Sequence, residues 1–530
     1  MRILFNARIH TLDPRQPMAT AVAIRDSQIL AIGQDPEILA EFSSGAQPQD
    51  MRGRTIWPGL TDAHIHLDYY ALGLQKVDCE TRTRAECLER VAIRARQTGP
   101  GEWILGHGWN QNEWPEGFGS AALLDQVAPE NPVYLTAKSL HAGWANSLAL
   151  QKAGIHHDTP DPRRGTIQRD NQGNPTGILL ESGMELVGSC LPEQDEREVA
   201  AAILQAQSIL WKMGITGVHD YDQRRCFAAL QILHERGELR LRVVKSIPAD
   251  ALPHAAALGL RSGFGSNFLR IGSVKLFADG ALGPQTAAML QPYEGAPDQF
   301  GMLLLDEEEI LETGRQAAAS GLSLAIHAIG DRANHAVLNA YEQLRVFEDQ
   351  HSLPHRRHRI EHVQIIHPAD AHRLAQLGVI ASMQPLHATS DMFSADQHWG
   401  ARSASAYAWR TMLDHHIALA FGSDAPVESP NPFWGLHAAV TRRRQDGTPG
   451  SDGWYPEQRL LLMEALQAYT TGAAYAAGLE NRLGKLTPGF DADLIVLDRD
   501  PFQMLPGDLV HVSPAATMVA GDWVWEGDSQ

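Results

Sequence analysis

Between residues 58 and 424 the sequence alternates short apolar runs with segments of helical spacing. The strand candidates end near His66, His219, Ile247, Phe277, His327, His362, Gln384 and Asp424, eight in all. Residues 331–345 illustrate the helical segments: Ala333, Ala336, Val337, Ala340, Tyr341 and Leu344 recur on one face, after an N-cap candidate at Asp331. Parallel strands need a crossover between them. Eight strand–helix units therefore predict an α/β chain closed into a (β/α)8 TIM barrel.

The two ends read differently. Ala21-Val22-Ala23-Ile24 and Ile29-Leu30-Ala31-Ile32 flank the polar Arg25-Asp26-Ser27-Gln28, a hairpin pattern, and short strand runs recur at 492–498 and 516–520. Neither end carries enough apolar surface for a core of its own. Residues 1–57 and 485–530 are expected to pair into one small β-sandwich domain, with the barrel (58–74 and 206–484) inserted between them. Residues 75–205 break the alternation and are rich in Trp, Gly, Pro and Asn. They read as an insertion after barrel strand 1, on the face where barrel sites lie, and are expected to cap the site.

Composition narrows the function. The 530 residues carry a net charge of −19, which argues against nucleic acid and anionic membranes as partners. No run approaches the ~18 apolar residues of a membrane helix, and the apolar start breaks after Phe5, against a secretory leader. Cys79, Cys87, Cys190 and Cys226 form no Cys-x-x-Cys pair and read as reduced thiols. Together these predict a cytoplasmic enzyme with a small-molecule substrate.

Histidine, with 24 residues, is the feature that points to chemistry. In Asp62-Ala63-His64-Ile65-His66, the period of two puts His64 and His66 on one face of a strand, where both imidazoles can reach one metal ion. His327 ends a strand whose Leu322, Leu324 and Ile326 would face the helices and whose Ser323, Ala325 and His327 would face the barrel interior. His362 ends another. Asp424 ends the last, on its small-residue face. A core histidine can sit anywhere in a strand, whereas these four histidines and one aspartate all fall at C-terminal strand ends. That placement favours a metal site.

These residues lie in motifs that resemble the amidohydrolase superfamily, and most closely the branch that includes N-substituted formamide deformylases. The motifs are 57–66, Val274-Lys275-Leu276-Phe277-Ala278-Asp279-Gly280, His327-Ala328-Ile329-Gly330-Asp331, Arg359-Ile360-Glu361-His362 and Gly422-Ser423-Asp424-Ala425-Pro426, with the return at 486–494. The resemblance implies a divalent metal centre, zinc above all, of one or two ions. Its ligands would be His64, His66, Lys275, His327, His362 and Asp424. Lys275 would be carbamylated and bridge two ions; the competing readings are an ammonium paired with Asp279 or another carboxylate, and a single metal held by His64, His66, His327 and Asp424. The implied reaction is cleavage of a C–N bond in an amide-like substrate (N-acyl, N-formyl or cyclic amide) by metal-activated water. Asp424 serves as general base and acid, and His327 and His362 complete the catalytic set. Deamination of a cyclic amidine, hydrolysis of an ester or lactone, and a non-catalytic scaffold are the alternatives. Many relatives are dimers, so the resemblance allows a homodimer, but no residue in the sequence fixes the oligomeric state.

Trp109, His141 and His219 are the candidate substrate contacts, with Trp114 beside Trp109. The competing reading for the tryptophans is a small core within the insertion, and for His219 packing behind the site. Glu361 alternates away from His362 and is expected to support a ligand from behind. His415-His416 read as a solvated helix end.

Overall fold

The computed structural model describes residues 1–111, 114–137, 142–163, 165–192 and 194–527. The chain forms two compact units, one of Met1–Tyr70 with Ile203–Gln530 and one of Ala71–Ala202.

The first unit is built on eight parallel strands: β1 (Leu60–Ile65), β2 (Ile215–Asp220), β3 (Arg242–Pro248), β4 (Leu269–Phe277), β5 (Leu324–Ala328), β6 (Arg359–His362), β7 (Ile380–Met383) and β8 (Leu419–Phe421). Each pairs with the next in chain order. The sheet closes where β8 returns to β1, through a parallel bridge between Ile65 and Ala425. The result is the expected TIM barrel. Its alternation follows the side chains: Leu322, Leu324 and Ile326 join the apolar layer under the helices, while Ser323 turns inward to Ser273 at 2.9 Å.

The seam between β8 and β1 has its own chemistry. The Asp62 carboxylate accepts the Ser423 hydroxyl and the backbone N–H groups of Ser423 (2.9 Å) and His64 (3.1 Å). Burial holds that carboxyl up at about 7. Gly422 is required here because a Cβ would stand 2.4 Å from the His64 nitrogen.

Three helices matter below. α1 (Glu307–Ala319) opens with a capping box between Asp306 and Glu309. α2 (Asp331–Gln350) buries Ala333, Val337, Ala340, Tyr341 and Leu344 against the barrel. Its N-cap is Gly330 and not Asp331, because the Asp331 carboxylate is used elsewhere, accepting the Leu290 N–H at 2.8 Å. α3 (Pro385–Trp399) follows β7 directly.

Both chain ends contribute to the extra β domain. One sheet of four strands contains Arg2–Phe5 and the hairpin Ala21–Arg25 with Gln28–Gly33. In the second sheet Leu494–Leu497 runs antiparallel to Thr55–Pro58, with Ile495 opposite Trp57. Leu4, Ile9, Val22, Ile56, Leu494 and Met518 share its core. Arg242 of β3 reaches this domain with a two-pronged bond to Asp493, at 2.6 and 2.8 Å, so the ion pair is buried and geometrically fixed.

Ala71–Ala202 folds around a six-stranded mixed sheet. Cys79, Cys87, Val91, Trp109, Trp114 and Trp144 form its apolar centre. No helix among the described residues is long and apolar enough to cross a membrane.

Candidate metal centre

The strand ends on the C-terminal side of the barrel enclose a cavity of about 330 Å³. His64, His66, Lys275, His327, His362 and Asp424 all line it. Asp424 Oδ1 lies 3.4 Å from both His64 Nε2 and His66 Nε2. Donor atoms of His64, His362 and Asp424 fall within 4.8 Å of one another. The rings of His64 and His362 are 4.9 Å apart, and those of His327 and His362 are 4.6 Å apart.

The backbone turns sharply to aim two of these side chains. His362 has φ 77° and Asp424 has φ 61°, the left-handed region where a non-glycine residue costs of order 1–3 kcal/mol. For Asp424 that cost is offset by the seam, where its N–H donates to the His64 carbonyl at 2.7 Å.

Each of the four histidines has one ring nitrogen held by an acceptor. His64 Nδ1 faces Glu361 at 2.6 Å, His66 Nδ1 faces Asp222 at 3.0 Å, His362 Nδ1 faces Gln384 Oε1 at 2.8 Å, and His327 Nε2 faces the Gly280 carbonyl at 2.9 Å. The nitrogen facing an acceptor carries a proton, which leaves a lone pair on the other nitrogen of each ring that is neutral. This is the arrangement that orients histidines toward a metal. His64 Nε2 is buried with no hydrogen-bond partner, a group that a cation would satisfy.

Electrostatics separate His66 from the other rings. Burial, with Lys275 nearby, lowers His64 to about 4 and His327 to about 3, so both rings are neutral near pH 7. His66 goes the other way. Burial opposes its charge, but Asp222 and Asp424 outweigh it and raise the group to about 10. Positive charge is therefore favoured beside Asp424. Burial also pushes Asp424 up, but the surrounding histidines overcome this and hold it well below the usual carboxylate range.

Lys275 stands apart. Its Nζ is buried and has no hydrogen-bond partner, resting 4.6 Å from the Tyr221 ring and 4.8 Å from the Phe277 ring. Burial lowers it to about 8. The expected competing pair with Asp279 is not formed. The Asp279 carboxylate is taken up by the N–H groups of Ala288, Ile329 and Gly330 at 2.8–2.9 Å.

Other expectations fare differently. Glu361 sits behind His64, holding its Nδ1 and accepting from Arg359 (3.2 Å) and Tyr221 (3.0 Å). His219 is not at the cavity. Its Nδ1 accepts from Arg359 at 2.9 Å and the ring is 2% exposed, so it packs behind the site. Trp109 is fully buried with its indole N–H donated to Leu135, and belongs to the core of its own unit; Trp114 likewise donates to Thr81. His141 lies outside the described residues. His415 and His416 are exposed, as expected.

The sequence reading missed Asp222, Gln384 and His387. All three follow a barrel strand by one to four residues, so the rule applied to the ligands, polar residues at C-terminal strand ends, would have found them had it been carried past β2 and β7.

The amidohydrolase family model matches residues 47–525. The chain belongs to the amidohydrolase family. This amidohydrolase is 33% identical over 535 residues to Protein LONG AFTER FAR-RED 3 of Arabidopsis thaliana, covering 98% of this chain and 90% of that protein. It is 30% identical over 536 residues to the N-substituted formamide deformylase of Arthrobacter pascens, covering 98% and 97%. The crystal structure of an uncharacterized metal-dependent hydrolase from Pyrococcus furiosus superposes with a TM-score of 0.78 at 29% identity, over 95% of this chain and 100% of that one.

Proposed function

We propose that this amidohydrolase cleaves the C–N bond of an amide-like substrate, an N-acyl, N-formyl or cyclic amide, with a divalent metal at the barrel mouth. One observation carries the reading: four imidazoles, each with its other nitrogen tied to an acceptor, line one cavity with Asp424. Neutral imidazoles and carboxylate oxygens suit zinc. The deformylase relative, alike over nearly its whole length, supports an amide substrate.

His64, His66, His327, His362 and Asp424 would hold the ion. Lys275 is the ligand candidate from β4. As a buried amine without a partner it can add carbon dioxide, forming an N–C bond and losing a proton. The resulting carbamate would offer its oxygens to a divalent cation where the ammonium would repel it. A divalent ion held there would lower the pKa of a coordinated water toward ~7 and would polarise the scissile carbonyl. Asp424 accepts the water's proton and orients its oxygen toward the carbonyl carbon. As the C–N bond breaks, Asp424 returns that proton to the leaving nitrogen. Phe277, Leu282, Ile329 and Val427 give the cavity an apolar wall that suits the substrate's organic substituent.

The test is turnover of a panel of N-substituted formamides, N-acyl amides and cyclic amides by chelator-stripped and zinc-reloaded protein. Activity should vanish on stripping and return with Zn²⁺. Unchanged activity in metal-free protein contradicts the reading, and turnover of esters or cyclic amidines alone reassigns the reaction.

A further inference from the structure

The cavity holds one imidazole more than the ligand set needs. His387, the third residue of α3, is 5% exposed and lies face to face with His362, with ring centroids 5.9 Å apart at 15°. Its two nitrogens have different surroundings. Nδ1 lies 3.3 Å from Gln364 Nε2. An amide N–H donates, so Nδ1 is the acceptor and the ring proton sits on Nε2. Nε2 has no hydrogen-bond partner and lies 3.7 Å from Asp424 Oδ2. The opposite tautomer, with the Gln364 amide reversed, would set a nitrogen lone pair against the carboxylate. The field of Asp424 therefore selects Nε2–H.

The carboxylate is divided by these contacts. Oδ1 faces His64 and His66 at 3.4 Å each, whereas Oδ2 faces His387. A carboxylate free to rotate could offer both oxygens to a cation, leaving neither to take a proton. We propose that His387 is a positioning residue for Asp424: its Nε2–H holds Oδ2 apart from the ligand cluster, so that this oxygen carries the proton during turnover. The inference rests on the general-base role proposed for Asp424 above. The 3.7 Å separation is longer than a hydrogen bond, and a small rotation closes it; such contacts commonly tighten only with substrate bound.

The proton balance is simple. The proton leaves water for Oδ2 as the water oxygen bonds to the carbonyl carbon. It then passes from Oδ2 to nitrogen as the C–N bond breaks. His387 keeps its own proton throughout.

Two substitutions and one spectrum test this on zinc-loaded, full-length protein. His387→Leu removes the donor, and kcat on an N-substituted formamide should fall about 10–100-fold, with KM within about twofold and zinc content unchanged. His387→Gln restores an N–H near the Nε2 position and should recover most of the loss. Wild-type kcat in His387→Leu, zinc lost in step with activity, or a Gln variant no better than Leu would each overturn the proposal. The tautomer is read without any substrate by ¹⁵N NMR of histidine-labelled protein. A proton on Nε2 of His387 is expected, and a proton on Nδ1 overturns the proposal. A wild-type enzyme that binds zinc and cleaves no amide refutes the function proposed above, and the NMR result still decides the tautomer.

Discussion

The backbone N–H of Asp424 donates to the carbonyl of His64 at 2.7 Å, across the seam where the barrel closes. Residues 360 positions apart are thus set side by side by main-chain geometry. Asp62 reinforces the seam through Ser423, and Gly422 lets the strands approach. Closure of the fold and assembly of the site are the same event. From that relationship, and from the second ring nitrogens, the following outcomes are expected.

Asp424→Asn keeps the side chain's shape and the backbone bond to His64, but removes the base. Steady-state turnover should fall about 10²–10⁴-fold, with the circular dichroism spectrum and melting temperature close to wild type. Near-native turnover would remove Asp424 from the proton-transfer role.

Asp222→Ala frees His66 Nδ1, which now has its 3.0 Å partner. The ring loses both its fixed tautomer and its orientation. Zinc affinity, read by competition with a chromophoric chelator, should drop about 10–100-fold. An unchanged affinity would show that the tether does not orient the ligand.

Acid stability should report on Glu348, buried at the C-terminal part of α2. Its carboxylate accepts from Arg345 at 2.6 Å and faces His358 at 3.3 Å. Burial pushes it up, but His358 and Arg345 prevail and bring it down to about 2. A carboxyl depressed on folding stabilises the protein fully above its unfolded value near 4.5, and that contribution is lost as pH falls from there toward 2. The shift corresponds to roughly 3 kcal/mol. Urea midpoints between pH 6 and 3 should fall steeply in wild type and less in Glu348→Gln, which should already be weaker at pH 6. Parallel curves for the two proteins would contradict this.

Asp391 and Glu428 line the same cavity as the candidate ligands, and Tyr407 donates to Asp391 at 2.7 Å. Two carboxylates at the mouth should disfavour anionic substrates. In a matched series of amides, kcat/KM should rank cationic or neutral members above anionic ones. The double change Asp391→Asn with Glu428→Gln should narrow the gap. A series without charge preference would assign these residues no part in selection.

The barrel was legible because its strands alternate bulky and small residues, as in Leu322–His327, and the cavity-lining histidines and Asp424 because they stand at the ends of those strands. Asp222 and His387 were not, since they lie just past the strands, where periodicity stops and only the folded path brings them back to the cavity. Trp109 misled for a different reason. An aromatic-rich segment reads alike whether it walls a pocket or fills a core, and only its burial against Trp114 and Trp144 separates the two. Asp331 is a good capping residue by type, but its carboxylate is claimed by a distant N–H of Leu290.

In the proposed centre His64, His66, His327, His362 and Asp424 converge on a bound cation. Anomalous diffraction at the zinc edge, from crystals of zinc-loaded protein, tests it directly. A strong anomalous peak is expected about 2.0–2.2 Å from His64 Nε2, His66 Nε2 and an Asp424 oxygen. Full zinc loading with no peak among these residues would contradict it.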